Sequence, residues 1–240
     1  MRIEELDTAE IKIKTTKQTI DDKLGVPPPF MDKCGVYVIT GSMGSGKSSF
    51  LNSIMTRGGL AKVFKGIFDE VHYVTPREVM DSEENHPFKN HPAERVYHNL
   101  NPDTFEKIKN DAMGIKDKGG NSALIIDDMS EFLKIKSVEL ALKGLIFKHR
   151  HHKINIIITL LTLKSLPKAL RSLVDCYIIF KPKSLIEIAS FADDVFGLSK
   201  KDIKQLLDFT FDEQYNFLFY NQRNNTYHKN FTKLKLIEET

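Results

Sequence analysis

Residues 35–50 read GVYVITGSMGSGKSSF, and this stretch decides the fold of the 240-residue chain. The apolar run 35–40 stops at a glycine, which predicts a short buried strand. Residues 47–57 carry their apolar side chains on one side, which predicts a helix that ends at Gly58-Gly59. A strand followed by a helix is the repeating unit of α/β proteins.

The loop between strand and helix fits the pattern G-x-x-x-x-G-K-[ST] at every fixed position. Its glycines let consecutive backbone N–H groups face one point at the positive end of the helix, and such a point binds phosphate. Lys47 is expected to reach the β- and γ-phosphates, and the Ser48 hydroxyl to bind Mg²⁺. A glycine-rich turn that matches by chance is the alternative. The motif predicts nucleotide binding through Gly41, Ser42, Met43, Gly44, Ser45, Gly46, Lys47, Ser48 and Ser49.

Residues 121–128, NSALIIDD, form a second apolar run, and this one ends in acid. A strand that ends in this way places a carboxylate beside the phosphates, where Asp127 would hold Mg²⁺ through water. Asp128 would polarise the attacking water, with Glu131 as the fallback base. The alternative for the Asp-Asp pair is simple helix N-capping. Lys47, Asp127 and Asp128 are therefore predicted catalytic residues.

Apolar runs alternate with helical patterns along the rest of the chain, which is typical of a parallel sheet covered on both faces. The sequence predicts a three-layer α/β domain over residues 34–240, preceded by an N-terminal extension of residues 1–33. Two aromatic runs around the turn NQRNN predict a closing hairpin, and residues 76–94, with three prolines, a long loop. The other predicted strands are 70–74, 95–97, 123–126, 154–161 and 176–180, and the strands of the hairpin are 215–220 and 227–231. The other predicted helices are 101–113, 137–149, 184–195 and 201–209.

Ligands of such sheets bind at the carboxyl ends of the strands. The fourth strand ends near Thr159 and Thr162, and either hydroxyl could contact the γ-phosphate or the water; a β-branched core residue is the alternative. Arg171 and Arg150 are candidates for stabilising charge on a transferred phosphate, in their own subunit or a neighbouring one. A surface salt bridge is the alternative for either arginine. The histidines around Arg150 lack cysteine partners, so we interpret them as polar surface or phosphate contacts.

Composition excludes several classes of protein. Apolar residues make up 41% and charged residues 28%, which excludes a disordered, collagen-like or disulfide-framework chain. Cys34 and Cys176 lie in or beside apolar runs, which predicts reduced, buried thiols. No apolar run reaches the ~18 residues of a membrane helix, and residues 1–14 lack the apolar region of a secretory signal. We expect a soluble intracellular protein without membrane insertion.

The net charge is only +3, but basic residues concentrate between residues 140 and 174, a stretch without Asp or Glu. This predicts an electropositive face, with solvated helix lysines as the alternative. The seven basic residues are Lys143, Lys148, Arg150, Lys153, Lys164, Lys168 and Arg171.

Four segments occur in the order GVYVITGSMGSGKSSFLNSIM, SALIIDDMSEF, RHHKINIIIT and LPKALRSLVDCYIIF. Together they resemble the genome-packaging ATPases of large DNA viruses and virophages, the poxvirus-like branch of the FtsK–HerA superfamily, over residues 35–231. The resemblance implies a RecA-like P-loop ATPase motor domain and a homo-oligomeric ring that uses ATP and Mg²⁺ to move double-stranded DNA into a capsid. It further implies a capsid or vertex protein as partner, and a location in the virus factory of the host cytoplasm and in the virion.

The chain departs from this family at the end of the fourth strand, where a glutamine usually stands and Leu160, Leu161 and Thr162 occur instead. We also expect no appended DNA-reading domain of the FtsK type. Any DNA contact would therefore come from the core, and it would be made to phosphates, without sequence preference and with strong salt dependence.

Four other functions stay open at the level of sequence. Another P-loop ATPase would share both motifs. A nucleotide kinase needs an arginine-rich lid, whereas the seven arginines here are scattered. A GTP-dependent switch needs an N/T-K-x-D element at a strand end; residues 199–202, SKKD, are the nearest match and fit a helix N-cap better. The missing glutamine and Asp128 in place of the usual glutamate leave room for a nucleotide-gated scaffold without turnover.

Overall fold

Strands of this chain assemble into one mixed sheet. The computed structural model describes residues 23–55, 63–64, 66–82, 86 and 88–236. Among these residues the strands are β1 (Val36–Thr40), β2 (Glu70–Val74), β3 (Val96–Tyr97), β4 (Ser122–Ile126), β5 (Ile154–Leu160), β6 (Cys176–Phe180), β7 (Phe217–Asn221), β8 (Thr226–Lys229) and β9 (Thr232–Leu234). Their order across the sheet is β3-β2-β4-β5-β1-β6-β7-β8-β9.

The first six strands in that order are parallel, and the last three are antiparallel to their neighbours. This arrangement confirms the predicted α/β fold with a mainly parallel sheet and a C-terminal hairpin. The hairpin is formed by β7 and β8, and β9 extends it as a third strand that the sequence patterns did not indicate. β1, β4, β5 and β6 are buried along their whole length, which explains why they read as continuous apolar runs rather than alternating ones.

Helices cover both faces of the sheet. They are α1 (Lys47–Met55), α2 (Arg77–Ser82), α3 (Pro102–Asp117), α4 (Lys136–Lys148), α5 (Lys168–Arg171), α6 (Leu185–Phe191) and α7 (Lys200–Thr210). One core, on the side of α3, α4 and α7, includes Ile126, Leu142 and Ile158. The other, on the side of α1, includes Leu51, Ile125 and Ile157.

One prediction of local structure was wrong. The predicted loop 76–94 contains α2 and a 3-10 turn at Ala93–Arg95. Proline counted against helix there, but Pro76 immediately precedes α2, and helix starts tolerate proline because the missing N–H would be unpaired anyway. The helix predicted over 184–195 is confirmed by α6, and it continues into a π-helical turn at Ala192–Phe196 that ends at Gly197 with a positive φ of 63°.

The segment before β1 packs against the sheet. Leu24, Val26, Phe30, Met31 and Cys34 are buried in the same core as α1. Both cysteines are buried thiols that form no disulfide with each other, as predicted. Residues 1–22, and with them most of the predicted N-terminal extension, lie outside the described residues, so the division at residue 34 stays a prediction. Within the described part of the chain, no helix has the length and apolarity needed to cross a bilayer.

The burial of the central strands leads to a prediction about stability. Ile157 in β5 is fully buried, whereas Leu140 on α4 is 55% exposed. We expect Ile157→Ala to lower the free energy of unfolding by about 2–5 kcal/mol, because the cavity adds to the lost burial. Leu140→Ala, the matched aliphatic control, should change it by no more than about 0.5 kcal/mol. Urea unfolding followed by circular dichroism measures both, and equal losses in the two variants would contradict this packing.

Candidate nucleotide site

The predicted phosphate loop joins β1 to α1 at the carboxyl edge of the parallel strands. Its first residue, Gly41, donates its N–H to the Leu160 carbonyl at 3.2 Å, which ties the loop to the end of β5. A Cβ atom at Gly41 would lie 2.7 Å from Phe180 Cβ and 2.7 Å from Ser45 Oγ, so only glycine fits. Gly44 has a φ of 73° and open space around it, so its glycine is required by the backbone and not by packing.

Lys47 lies across the loop that precedes it. Its Nζ donates to the carbonyls of Gly41 at 2.6 Å and Ser42 at 3.0 Å. Burial lowers the pKa of Lys47, and the nearby carboxylates of Asp128 and Asp127 oppose that shift. The site therefore holds one cation against two acidic side chains.

Asp127 follows β4 and is 7% exposed. Its N–H donates to the Val74 carbonyl at 2.8 Å, so the residue continues the β2–β4 pairing. The Tyr73 hydroxyl donates to Asp127 Oδ2 at 2.7 Å, and the Thr159 hydroxyl donates to Oδ1 in a short hydrogen bond. Each carboxylate oxygen keeps a second lone pair, since an ionised carboxylate can accept about four hydrogen bonds.

Asp128 adopts the left-handed conformation, with a φ of 54°, which aspartate tolerates better than most residues. Its N–H donates to Thr159 Oγ1 at 3.1 Å. Partial burial of its carboxyl group raises the pKa of Asp128, the charge of Asp127 raises it further, and Lys47 opposes both. A carboxylate with a raised pKa is a better proton acceptor, which suits the role predicted for Asp128.

The other predicted polar residues are divided by the structure. Thr159 lies in the site and contacts both aspartates, whereas Thr162 is exposed beyond β5 and lies 3.3 Å from the Ser165 hydroxyl. Glu131 is also exposed, and its carboxylate pairs with Lys134 at 3.1 Å. Asp128 is thus the acid that shares Thr159 with Asp127, and Glu131 belongs to the surface.

The two candidate arginines lie elsewhere in the domain. Arg171 is buried, donates to the Leu166 carbonyl at 3.0 Å and pairs with Asp194 at 2.5 Å. Arg150 follows α4 and lines a cavity near Asp175, at the amino ends of the strands and therefore at the edge opposite the phosphate loop. The structure brings Lys47, Asp127 and Asp128 together but not these arginines, whose part in the reaction stays a prediction.

The oxygen atoms available here fit Mg²⁺. Ser48 offers an exposed hydroxyl at the start of α1, and Asp127 a carboxylate with free lone pairs; Mg²⁺ prefers such hard oxygen ligands. A second acidic group, Glu70 and His72 of β2 with Asp111 of α3, also gathers possible metal ligands. There Arg95 already pairs with Glu70 at 2.8 Å, so we interpret that group as an internal ion pair.

An aromatic cavity of about 570 Å³ opens beside the phosphate loop. Its walls include Tyr215 and Phe231, which are 60% and 45% exposed, and the buried Phe180 and Phe217. Sequence patterns did not single out these residues, because they come from three strands or turns far apart in the chain. The only signal was the run of aromatic residues in the predicted hairpin.

The sequence matches the poxvirus A32 protein family over residues 32–225. The chain belongs to this family. That confirms the resemblance seen in the motifs, and the matched region includes both the phosphate loop and the Asp127-Asp128 pair. A comparison with curated proteins gives no significant match.

Solved structures share the fold of this A32-family chain. The DNA-packaging ATPase B204 from Sulfolobus turreted icosahedral virus has a TM-score of 0.64 and 20% identity, covering 87% of this chain and 100% of that one. The genome packaging NTPase B204 of Sulfolobus turreted icosahedral virus 2 in complex with ATP-gammaS has a TM-score of 0.60 and 19% identity, over 85% and 100%. The cytoplasmic domain of the type VII secretion ATPase EccC from Thermomonospora curvata has a TM-score of 0.51 and 11% identity, over 85% and 24%.

The raised pKa of Asp128 makes a prediction about stability in this A32-family chain. Because folding raises that pKa, ionised Asp128 costs stability at neutral pH, and the cost disappears as pH falls through the folded pKa. We expect Asp128→Asn, which also tolerates a positive φ, to have a melting temperature at or above that of the wild type at neutral pH. The difference should shrink towards acidic pH. Thermal unfolding across a pH series measures this, and a less stable Asn variant at neutral pH would contradict it.

Proposed function

We propose that the protein is an ATP-hydrolysing translocase that packages double-stranded viral DNA into a preformed capsid. The observation that carries the proposal is the buried Asp127 carboxylate held beside Lys47 and the phosphate loop. Membership of the A32 family and a fold shared with virus packaging NTPases support the packaging role.

Each residue of the site has a separate proposed role in ATP hydrolysis. The loop N–H groups and Lys47 bind the β- and γ-phosphates. Ser48 and Asp127 would hold Mg²⁺, which would neutralise charge on the phosphates when bound. Asp128 orients the attacking water and accepts its proton, and the hydrogen bond from its N–H to Thr159 fixes its backbone beside Asp127.

The aromatic cavity is the proposed binding site of the adenine ring. Tyr215 and Phe231 are partly exposed and line this cavity together with Gly46, and stacking on aromatic rings accepts a base without hydrogen-bond readout. ATP rather than GTP is favoured, because Ser199 of the SKKD segment accepts a hydrogen bond from the Asp202 N–H at 3.2 Å as the N-cap of α7. The segment nearest to a guanine-reading motif is thus used for helix capping, as its sequence indicated.

The proposed DNA-contacting surface is smaller than the electropositive face that the sequence predicted over residues 140–174. Lys168 pairs with Asp194 at 3.0 Å, and the buried Arg171 forms a salt bridge with the same carboxylate. Lys148 and Lys164 are exposed. We propose that Lys148 at the end of α4, together with Lys143 on the same helix and Lys153 before β5, contacts DNA phosphates.

The assembly follows from the same proposal. Packaging by a translocase of this family implies a homo-oligomeric ring, docked on a capsid or vertex protein in the virus factory of the host cytoplasm and carried into the virion. Arg150 or Arg171 would reach the phosphates of bound ATP only from a neighbouring subunit in such a ring, since neither contacts the phosphate loop of its own chain.

The first functional prediction concerns turnover. We expect the purified protein to release phosphate from ATP faster with double-stranded DNA, and less so at high salt, because contacts to DNA phosphates release counterions. Lys47→Ala should lower turnover at least about 100-fold through loss of phosphate stabilisation, and Asp128→Asn by about 100-fold or more through loss of the base. Glu131→Gln, an exposed acid three residues further on, is the matched control and should stay within about twofold of the wild type.

Each alternative function has its own outcome in this assay. Normal turnover in Lys47→Ala would refute the site. Turnover indifferent to DNA would favour another ATPase, and transfer of phosphate to a nucleoside monophosphate would favour a kinase. Tight ATP binding without phosphate release by the assembled protein would favour a nucleotide-gated scaffold.

A second functional prediction concerns the base pocket. Tyr215→Ala should raise KM for ATP by about tenfold, the loss expected for one aromatic stacking contact, with kcat little changed because stacking on the base stabilises the ground state and the transition state equally. Phe209→Ala, at another exposed aromatic side chain (61% exposed), is the control and should leave KM unchanged. Steady-state kinetics at saturating Mg²⁺ measure both, and an unchanged KM in Tyr215→Ala would place the base elsewhere.

A further inference from the structure

We propose that Tyr73 and His86 are positioning residues that orient the Asp127 carboxylate, so that the chain segment around His86 is connected to the nucleotide site. The inference rests on the proposed function, because it takes Asp127 as the residue that serves Mg²⁺ and ATP. It assigns a role to part of the region 76–94 whose sequence indicated only a loop.

The first link is the hydroxyl of Tyr73. This residue lies in β2, next to β4, and is 1% exposed. Its hydroxyl donates to Asp127 Oδ2 at 2.7 Å, while the Thr159 hydroxyl holds Oδ1. Two hydroxyl donors on opposite oxygens fix the rotation of the carboxylate, and loss of either would free it to turn.

The second link is His86, whose Nε2 lies 3.1 Å from the Tyr73 hydroxyl oxygen. The Phe88 N–H donates to His86 Nδ1 at 3.2 Å, so Nδ1 is an acceptor and carries no proton. A neutral imidazole then carries its proton on Nε2, and Nε2 donates to the tyrosine oxygen. The tyrosine oxygen accepts from His86, so the tyrosine proton points to Asp127. The two hydrogen bonds, from His86 to Tyr73 and from Tyr73 to Asp127, therefore have the same donor-to-acceptor direction.

The His86 segment, defined here as residues 86 and 88–91, is attached to β2 by further contacts. Phe88 stacks on the Tyr73 ring, with centroids 4.3 Å apart and planes at 16°. His91 Nε2 lies 2.6 Å from the Val71 carbonyl oxygen. A displacement of the segment would therefore move the Tyr73 hydroxyl, and through it the carboxylate that serves Mg²⁺.

A purely structural role for Tyr73 makes different predictions, because a buried ring that only fills the core needs no hydroxyl. The test uses the full chain in five variants: Tyr73→Phe, His86→Gln, His86→Asn, the double variant Tyr73→Phe with His86→Asn, and the control Tyr220→Phe. Tyr220 is another buried tyrosine whose hydroxyl donates to a side-chain oxygen, that of Asn225 at 3.2 Å, in the C-terminal hairpin. Glutamine can place a donor where Nε2 stands, whereas asparagine is too short and keeps only the acceptor near Nδ1.

We expect Tyr73→Phe to lower kcat by about tenfold and to raise the half-saturating Mg²⁺ concentration by a similar factor, as for other residues that orient a metal-binding side chain. KM for ATP at saturating Mg²⁺ should change less than about twofold. His86→Asn should show a smaller loss of the same kind, and His86→Gln should restore most of it. In the Tyr73→Phe background, His86→Asn should have no additional effect, because His86 acts through the tyrosine hydroxyl.

Three results would overturn the proposal. Tyr73→Phe could match Tyr220→Phe in kcat and Mg²⁺ dependence, which would leave its hydroxyl without a role. His86→Gln could be as impaired as His86→Asn with an unchanged melting temperature. The losses in the double variant could multiply, which would separate His86 from Tyr73. If the wild type binds but does not hydrolyse ATP, the proposed function fails while the Mg²⁺ dependence of fluorescent ATP-analogue binding in the same variants still decides this inference.

Discussion

Parallel alignment of β2, β4, β5 and β1 is the constraint on which the site depends. In this alignment Ile126 lies beside Ile158, and Thr40 beside Leu160. The residues that follow are then forced together at one edge: Asp127 meets Thr159, and Gly41 meets the Leu160 carbonyl. A shift of one residue in the β4–β5 pairing would turn Asp127 or Thr159 to the opposite face of the sheet and separate them.

Charge at this edge is concentrated and only partly neutralised within the chain. Lys47 is held against the carbonyls of its own loop, and its pKa is lowered by burial, whereas that of Asp128 is raised. Each shift marks a group kept in its charged form at a cost in solvation. Such paired shifts concentrate at sites that bind charged ligands, and here they coincide with the loop geometry that accepts phosphate.

The sequence predicted the parts of the site that are contiguous in the chain and missed those assembled across it. The phosphate loop and the acid-ended strand each combine a local backbone requirement with a side-chain chemistry, so a few adjacent residues suffice to identify them. Thr159 could be predicted because a strand end is also a local feature. Tyr73, His86 and Tyr215 could not, because their roles arise from which strands become neighbours. Arg171 shows the converse: its type suited phosphate, but the partner that holds it, Asp194, is 23 residues away.

Phe30, in the segment before β1, packs within 5.1 Å of Phe219 in β7 and within 6.0 Å of Phe231 after β8, measured between ring centroids. The segment before β1 and the C-terminal strands thus pack into the same aromatic core as α1. Trimming the chain to the limits of the recognised motifs would open that core from both sides at once. The smallest fragment that still folds is therefore set by the meeting of these two ends, and it is longer than the span between the phosphate loop and β6.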